Sequence, residues 1–388
     1  MIRYLVMDVG CPIDAVRKVR DTAVFVSSHK GGDGAVREFI EYLILNLIVK
    51  HVFVIGSHTP YLTAIGVINK LELKHEDVVF VLGRHYKCFD QLKDIKVCDM
   101  SHLYFRLLRN LTPWNCKAYV KKIDDFIEEN VGEDYILYMC HLLSYPNQSM
   151  ATNPLCKEVK FIQEGIIDMC VGNPKHRITL KGIIGNTFYM NFGRTWKTDY
   201  WDDYRCGVRH ASETFAITPS LFNKLDCKHT LVDWPKMNIP LTLADDGIYF
   251  VFESLVEQRN IEKHIFMEAT EKMIRKYAGK HNYVKYHPFQ KQENKDYITS
   301  LFSKCGTTVE LLPDNVPFEM ILATQPHMKV CGFTTSLIFF SALLPQHEAH
   351  ICVPALYPSK KFVKGYWNNF KSHLDRCYGE GRFNFETL

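Results

Sequence analysis

The chain has 388 residues and a formal net charge of +4 at pH 7, with 47% hydrophobic and 23% charged residues. This length is enough for two domains of ordinary size, each with its own core. The weak positive charge suits an anionic small substrate or an anionic membrane face. It is too small to indicate a nucleic-acid partner, and we expect none.

The 13 cysteines do not form a metal-binding or disulfide pattern. The closest two in sequence are Cys88 and Cys98, so the chain has no Cys-x-x-Cys pair. Scattered cysteines without a signal peptide are typical of reduced thiols in the cytoplasm. The most apolar run, residues 42–55, is interrupted by Lys50 and is too short to span a bilayer. We therefore expect a cytoplasmic protein, for which peripheral association with the inner membrane stays open.

The first 33 residues carry few clear signals. Residues 4–7 and 22–26 indicate short strands. Residues 31–34 form a glycine-rich turn without the Lys-Ser/Thr pair of a phosphate loop. Residues 35–49 have the apolar spacing of a helix.

The next part of the chain alternates between apolar strands and helices. Strands are predicted at residues 51–56, 77–82, 95–98, 134–139 and 159–162. Helices are predicted between them, at residues 57–70, 101–110 and 117–130. Continuous apolar strands that alternate with helices indicate a parallel sheet covered on both faces. We predict a Rossmann-like N-terminal domain over residues 1–215.

Residues 171–215 interrupt this alternation. They are polar and aromatic, and residues 194–201 are rich in Lys, Arg, Trp and Tyr. Long irregular segments are often functional, so an insertion that faces an acceptor substrate and a simple surface excursion are both open interpretations.

A second alternation follows a crossing segment at residues 215–219. Strands are predicted at residues 247–252, 283–286, 307–312, 328–331 and 350–353, and helices at 262–277 and 295–303. We predict a second Rossmann-like domain over residues 216–388. The fold class is thus α/β, with two Rossmann-like domains that face each other across a cleft.

Three short motifs follow predicted strands. His287 precedes Pro288, which has no N–H and favours an extended residue before it, so His287 is expected at the carboxyl end of a strand. Ligands of open α/β sheets bind at that edge, although an isolated His-Pro pair more often only ends a strand. Glu164 and Gly165 follow the strand at 159–162. Residues 334–336 open an apolar helix, where hydroxyls and free N–H groups favour an anion, and alone they indicate no more than a helix cap.

Together these motifs resemble those of the bacterial-type sialyltransferases of the GT-B fold. This group includes capsule polysialyltransferases and lipooligosaccharide sialyltransferases. Its members carry an acid-acid-Gly motif, a His-Pro motif and a Ser/Thr pair in this order. Here the motifs lie at residues 163–165, 287–288 and 334–336, within a similarity that covers roughly residues 50–345. Gln163 replaces the leading acid of the first motif, and one carboxylate is enough to act as a base.

The resemblance implies an inverting transfer of sialic acid from CMP-sialic acid to a glycan hydroxyl. Glu164, on the acceptor-side domain, would be the base and His287, on the CMP-sugar-binding domain, the acid. The residues implied in binding the CMP-sugar are Lys285, Pro288, Glu319, Thr334, Thr335 and Ser336. Among these, Glu319 would accept hydrogen bonds from the ribose, and Lys285 would lie near the cytidine and phosphate. No cofactor beyond the donor is implied and no metal, because the chain has no Asp-x-Asp pair.

Two alternatives remain open on the sequence alone. The chain could be another GT-B glycosyltransferase that uses a CMP- or UDP-sugar, such as a Kdo transferase. It could also be a non-catalytic glycan-binding or capsule-assembly protein on the same scaffold, and Gln163 favours that interpretation. The acceptor, the linkage position and the number of sugars added are not encoded in these motifs.

A second acidic pair, Asp245 and Asp246 before Gly247, matches the acid-acid-Gly motif more closely than residues 163–165 do. It precedes a predicted strand instead of following one. In a parallel sheet that position is at the edge away from the ligands. We therefore predict a solvated turn there and keep Glu164 as the base.

Overall fold

The computed structural model describes most of the chain. The described residues are 10–21, 23, 25–46, 49–87, 94–105, 113–142, 144–167, 211–219, 221–222, 227–236, 239 and 241–388. The strand predicted at 4–7 and the basic-aromatic stretch at 194–201 lie outside them.

The N-terminal residues form a small unit of their own. Strands β1 (Gly10–Cys11) and β2 (Phe25–Val26) pair in parallel, with helix α1 (Arg17–Arg20) between them. Helix α2 (Ala35–Asn46) follows the glycine-rich turn, in which Gly32 and Gly34 have φ values of +83° and +88°. Side chains other than glycine rarely adopt this conformation, which explains the composition of the turn.

The first large sheet has seven parallel strands in the order β5-β4-β3-β6-β7-β8-β9. Their bounds are β3 Lys50–Ile55, β4 Val78–Leu82, β5 Lys96–Asp99, β6 Tyr135–Met139, β7 Cys156–Ile162, β8 Ala211–Ala216 and β9 Lys228–Leu231. The helices with them are α3 His58–Lys70, α4 Ser101–Phe105, α5 Pro113–Asn130 and α6 Tyr145–Ala151, with a 3₁₀ turn at His75–Asp77. Every residue of β4 is buried, as expected for a strand covered on both faces.

The first sheet extends beyond the boundary predicted at residue 215. Strand β8 ends at Ala216, and β9 (Lys228–Leu231) then pairs with it in parallel. The Lys-His-Thr-Leu sequence of β9 is mostly exposed at the sheet edge, so it lacks the apolar run that would have marked it as a strand. By sheet membership, residues 228–231 therefore belong with the N-terminal sheet.

The second large sheet has five parallel strands in the order β12-β11-β10-β13-β14. Their bounds are β10 Ile248–Val251, β11 Asn282–Lys285, β12 Glu310–Leu311, β13 Lys329–Gly332 and β14 Glu348–Ile351. The helices are α7 Lys263–Tyr277, α8 Gln292–Lys304, α9 Phe318–Thr324, α10 Ser336–Leu343, α11 Lys360–Phe362 and α12 Asn368–Tyr378. A 3₁₀ turn at Val353–Leu356 and a π turn at Val363–Trp367 precede α12. The prediction of two Rossmann-like parallel sheets is confirmed.

Contacts between the two sheet units bring their carboxyl edges together. Met320 of α9 is buried in the core of the first unit. At the other end of the chain, the Tyr378 hydroxyl donates to the carbonyl of Ile166 at 2.7 Å, and Cys377 packs in a first-unit core. Glu319 and Lys285 of the second unit also influence the ionisation of His58 of the first unit. The loops that follow the strands of both sheets therefore line one region.

Within the residues that the structure describes, no helix is long and apolar enough to cross a bilayer.

Candidate active site

Glu164 lies two residues beyond β7 and meets two side chains that the sequence did not predict. Its Oε1 atom is 3.2 Å from Nη1 of Arg84, and its Oε2 atom is 3.7 Å from Nε2 of His141. Its side chain is 24% exposed, so solvent and a substrate hydroxyl can reach the carboxylate. The arrangement fits a base that is held in place but open to a substrate.

Arg84 reaches Glu164 from a strained turn after β4. Arg84 and His85 both have φ of +56°, a conformation uncommon for residues other than glycine. The turn is held by the segment that joins β5 to α4. The Ser101 hydroxyl accepts a hydrogen bond from the His85 N–H at 2.7 Å. The Ser101 N–H in turn donates to Asp99 at 2.8 Å. Such strain persists only where neighbours enforce it, and it is concentrated at functional sites. The Arg84 side chain remains 53% exposed.

His141 approaches Glu164 from the loop after β6. Burial lowers the pKa of His141, and Arg84 lowers it further, while Glu164 acts in the opposite direction. The Asn147 amide donates to the carbonyl of His141 at 2.7 Å and so holds the segment. A histidine with a lowered pKa is neutral near pH 7, so His141 lies beside the carboxylate of Glu164 without adding a second full positive charge.

Gln163 has a structural role that explains why this position is an amide. Its side chain is fully buried, and Oε1 accepts hydrogen bonds from the N–H groups of Ile217 at 2.9 Å and Thr218 at 3.1 Å. Its Nε2 donates to the carbonyl of Gly165 at 3.0 Å. A carboxylate could accept the first two bonds but could not donate the third. The substitution therefore ties the Glu164 loop to the end of β8.

His287 follows β11, as predicted, and its ring is oriented by its own loop. Its Nδ1 accepts a hydrogen bond from the Phe289 N–H at 3.1 Å, so the neutral ring carries its proton on Nε2. The Gln290 side chain accepts from the His287 N–H at 3.0 Å. The Phe289 ring stacks on the imidazole, with centroids 5.5 Å apart, and is itself 77% exposed. Burial lowers the pKa of His287, and Glu257 opposes this shift.

Pro288 is exposed beside His287, whereas Lys285 is buried beneath the loop. The Lys285 ammonium donates to the carbonyls of Pro313 at 2.5 Å and Val316 at 2.8 Å. Burial lowers the pKa of Lys285, and the nearby charges of Asp314 and Glu319 oppose this shift. The two hydrogen bonds of Lys285 therefore fix the loop before α9.

Glu319 lies in the first turn of α9 and is half-buried. Its charge acts on Lys285 and, across the two units, on His58. His58 in turn has Nδ1 3.0 Å from the Tyr86 hydroxyl, in the loop after β4. Glu319 therefore lies in the region shared by both sheet edges.

The three residues of the hydroxyl motif divide between two tasks. Thr334 is buried, and both its N–H and its hydroxyl donate to Oε1 of Glu253, at 3.1 and 2.9 Å. Thr335 caps α10, because its hydroxyl accepts from the Leu337 N–H at 3.4 Å. Ser336 is the first residue of the helix and is half-buried. Thr335 and Ser336 are the members of the motif at the opening of the helix, where hydroxyls and the helix dipole favour an anion.

The sequence model of the alpha-2,8-polysialyltransferase (POLYST) family matches residues 51–354. The chain belongs to this family. It is therefore a glycosyltransferase of the sialic acid-transferring kind, and the match includes every residue of the site described above. No curated protein sequence matches the chain significantly.

Solved structures similar to this polysialyltransferase-family chain have low sequence identity. A Photobacterium 2,6-sialyltransferase in complex with CMP and lactose is 13% identical with a TM-score of 0.44, over 77% of this chain and 70% of that one. Anabaena HepE in complex with UDP and glucose is 10% identical with a TM-score of 0.42, over 86% and 94%. Acinetobacter baumannii MurG is 10% identical with a TM-score of 0.38, over 76% of each chain.

Three polar residues of the site were missed in the sequence: Arg84, His141 and Glu253. Each follows a strand, β4, β6 and β10 respectively, by two residues. Polar residues just after a parallel strand lie at the edge where ligands bind, and this rule, which singled out Glu164 and His287, applies to these three residues equally. In the residues that the structure describes, no three His, Cys, Asp or Glu side chains are arranged to hold a metal ion.

Proposed function

We propose that this chain transfers sialic acid from CMP-sialic acid to a glycan hydroxyl with inversion, with Glu164 as base and His287 as acid. The observation that carries the proposal is the position of these two groups, at the carboxyl edges of the two parallel sheets whose loops meet. Family membership supports the sialic acid part of the proposal. The finer assignment depends on the chemistry of the side chains.

In the proposed reaction a single displacement occurs at the anomeric carbon. The acceptor oxygen forms a bond to that carbon while its proton passes to Glu164, and the bond to the CMP phosphate oxygen breaks. In the neutral ring the Nε2–H of His287 would donate a hydrogen bond to the departing phosphate, because Nδ1 accepts from the Phe289 N–H. When His287 acts as the acid, its imidazolium form gives up the Nε2 proton, and in that form Nδ1 is protonated and no longer accepts from Phe289. Attack opposite to the leaving group inverts the anomeric configuration.

The negative charge that develops on the phosphate needs fixed donors. The Ser336 N–H and the hydroxyls of Thr335 and Ser336, at the start of α10, would supply them. Pro288 has no N–H to donate and would act by setting the turn of the His287 loop. Glu319 would accept hydrogen bonds from the ribose. Lys285 would act indirectly, by holding the Pro313–Val316 carbonyls and with them the start of α9.

Arg84 and His141 would orient the base. Two partners on different loops restrict the Glu164 carboxylate, and positioning of this kind is a large part of catalysis by enzymes. The exposed guanidinium also gives the acceptor side of the site a positive charge. The family description suggests that the acceptors are sialosides, attacked at their 8-hydroxyl.

The structural role of Gln163 weakens the alternative of a non-catalytic protein. That interpretation depended on the missing leading acid, and the buried amide is explained by its three hydrogen bonds. A nucleotide-sugar donor and a glycan acceptor are thus the partners that we propose. A cytoplasmic location with peripheral membrane association stays part of the proposal.

The deciding experiment is a donor and acceptor screen. The full chain is incubated with CMP-sialic acid, CMP-Kdo or UDP-sugars and with galactosides or sialosides, and the products are read by mass spectrometry. We expect sialylated products from CMP-sialic acid only, with Glu164→Gln inactive in parallel. Products from a different donor alone, or CMP binding without any product, would contradict the proposal.

A further inference from the structure

Glu253 is a buried carboxyl directly behind the opening of α10. It lies two residues beyond β10, at the same sheet edge as His287 and Thr334, and is 8% exposed. Its Oε1 atom accepts both hydrogen bonds from Thr334. Its Oε2 atom is buried and has no hydrogen-bond partner among the residues that the structure describes. A buried carboxylate oxygen without a donor is costly, whereas a protonated carboxyl loses much of that cost.

The groups that face Glu253 do not neutralise it. From the start of α10 they are the N–H and hydroxyl of Thr334 and the N–H of Thr335. From the π turn at Val363–Trp367 it is Tyr366, whose pKa is raised to about 12 by burial and by Glu253. On the adjacent strand, the Lys285 ammonium is committed to the Pro313 and Val316 carbonyls.

Burial dominates the ionisation of Glu253. It raises the pKa of Glu253 to about 7, although the hydrogen bonds from Thr334 and the N–H groups of Glu253 and Thr335 act in the opposite direction. The Glu253 carboxyl is therefore mostly ionised above about pH 7 and mostly neutral below it. Thr334 remains bound to Oε1 in both forms, because a protonated carboxyl keeps one acceptor oxygen.

We propose that Glu253 is a proton-dependent positioning residue of the donor site: it holds Thr334 beneath the phosphate-binding start of α10 and opposes the phosphate when it is ionised. This inference rests on the proposed function, which puts the CMP phosphate at that helix start. A carboxylate charge in a buried position so close to a phosphate acts at low effective dielectric, so the repulsion is not fully screened. Protonation of Glu253 by solvent removes this repulsion, and the change requires no other covalent step.

The sign of the effect follows from linkage. The neutral form of Glu253 predominates at low pH and admits the phosphate, so the affinity for CMP falls as the pH rises through the pKa of Glu253. By reciprocity, bound phosphate favours the protonated form and raises that pKa further. Glu253 thereby couples donor affinity to pH without contacting the reacting atoms.

The experiment measures the dissociation constant of CMP by calorimetry from about pH 6 to about pH 8.5, a range that brackets a carboxyl shifted by burial. Glu253→Gln keeps an oxygen for the Thr334 bonds and removes the charge. We expect the variant to match the wild type at the low end and to bind about 10-fold more tightly at the high end, as expected for a pKa change of about one unit on binding. His287 and the CMP phosphate titrate in both proteins and cancel in the comparison.

Two further variants keep the test decisive. Glu268→Gln, on the exposed face of α7, is a matched control that should keep the wild-type pH profile. Thr334→Val removes a hydrogen bond that favours the ionised form of Glu253, so the loss of affinity should shift to higher pH. This second variant tests the inference even if Glu253→Gln does not fold.

The failure of this inference is distinct from the failure of the proposed function. Wild-type protein that does not bind CMP at any pH would overturn the proposed donor site. Wild-type protein that binds CMP with the same pH profile as Glu253→Gln, or a Thr334→Val profile that does not move, would overturn the role of Glu253 alone.

Discussion

Nη1 of Arg84 lies 3.2 Å from Oε1 of Glu164 and joins the ends of two strands that are not neighbours. In the sheet, β3 and β6 lie between β4 and β7, so the two strands are separated by three strand spacings, or about 14 Å. The loops after the two strands and the two long side chains together close that distance. The pair is half-exposed, so it contributes at most about 1 kcal/mol to stability, and its value lies in orientation.

We expect Arg84→Ala to lower kcat by about 10- to 100-fold, because the carboxylate of the base Glu164 loses its orientation. Donor KM and melting temperature should change little, because Arg84 contacts neither the donor site nor the core. Arg84→Lys should recover part of the rate, since an ammonium can reach the carboxylate but lacks the rigid planar geometry of the guanidinium. Steady-state kinetics and thermal melting provide the measurement. Lys121→Ala, which breaks an exposed pair with Asp125 on α5, is the control and should be neutral. An Arg84→Ala enzyme with wild-type kcat would show that the pair is incidental.

Replacing Gln163 with the acid that the motif would have at this position should destabilise the protein. In Gln163→Glu the carbonyl of Gly165 loses its donor and a charge is buried, at a cost of about 1–3 kcal/mol. Urea unfolding measures this directly. Gln163→Ala, which also leaves the N–H groups of Ile217 and Thr218 without a partner, should cost at least as much. A Gln163→Glu protein as stable as the wild type would contradict this structural explanation.

The exposed ring of Phe289 should set the pH range of His287. Burial lowers the pKa of His287, so the protonated acid is lost as the pH rises through a value below the ordinary 6.5. Phe289→Ala admits water to the imidazole face, raises its pKa and should move this limb of the kcat profile to higher pH, while Phe289→Leu should keep it in place. The measurement is the pH profile of kcat for the wild type, Phe289→Ala and Phe289→Leu. His287→Ala should lose this limb of the profile and should lower the rate by about 10²–10⁴-fold. An unchanged limb in Phe289→Ala would remove Phe289 from this role.

The sequence predicts elements whose signal is local. Strands β4 and β6 are continuous apolar runs, and the His-Pro pair ends β11 because proline cannot extend a ladder. The partners of Glu164 could not be predicted in this way. Arg84 and Glu164 meet because of the strand order in the sheet, which periodicity does not encode.

Lys285 shows the same limit for a single side chain. The family resemblance implies that Lys285 lies near the cytidine and phosphate, and the structure adds that its ammonium donates to two backbone carbonyls of a loop about 30 residues further along the chain. Such bonds satisfy a buried charge and depend on tertiary packing alone. The edge strand β9 was not predicted because it is mostly exposed and so lacks the apolar run by which the other strands are recognised.

We expect transfer to survive treatment with EDTA. The motivation is the sequence, which has no Asp-x-Asp pair, together with His287, Thr335 and Ser336 as donors for the phosphate. Rates before and after chelation, with Mg²⁺ or Mn²⁺ restored in a second sample, provide the measurement. Turnover that EDTA abolishes and a divalent ion restores would contradict a mechanism that depends on these donors alone.

The last prediction concerns the identity of the base, for which the chain offers two acidic motifs. Glu164 follows β7 at the carboxyl edge of its sheet, where Arg84 donates to its carboxylate and His141 lies 3.7 Å from it. Asp245 and Asp246 form an exposed turn before β10, at the amino end of a parallel strand, and Asp246 lies 3.9 Å from an exposed His281.

Glu164→Gln should therefore remove nearly all transfer and leave CMP binding intact, because the base touches the acceptor and not the nucleotide. Asp245→Asn and Asp246→Asn should keep both activities, because a solvated turn tolerates an amide. Transfer rates and CMP affinities of the three variants, measured side by side, separate the two motifs. An inactive Asp246→Asn beside an active Glu164→Gln would move the base to the second motif, on the edge of the sheet opposite to His287.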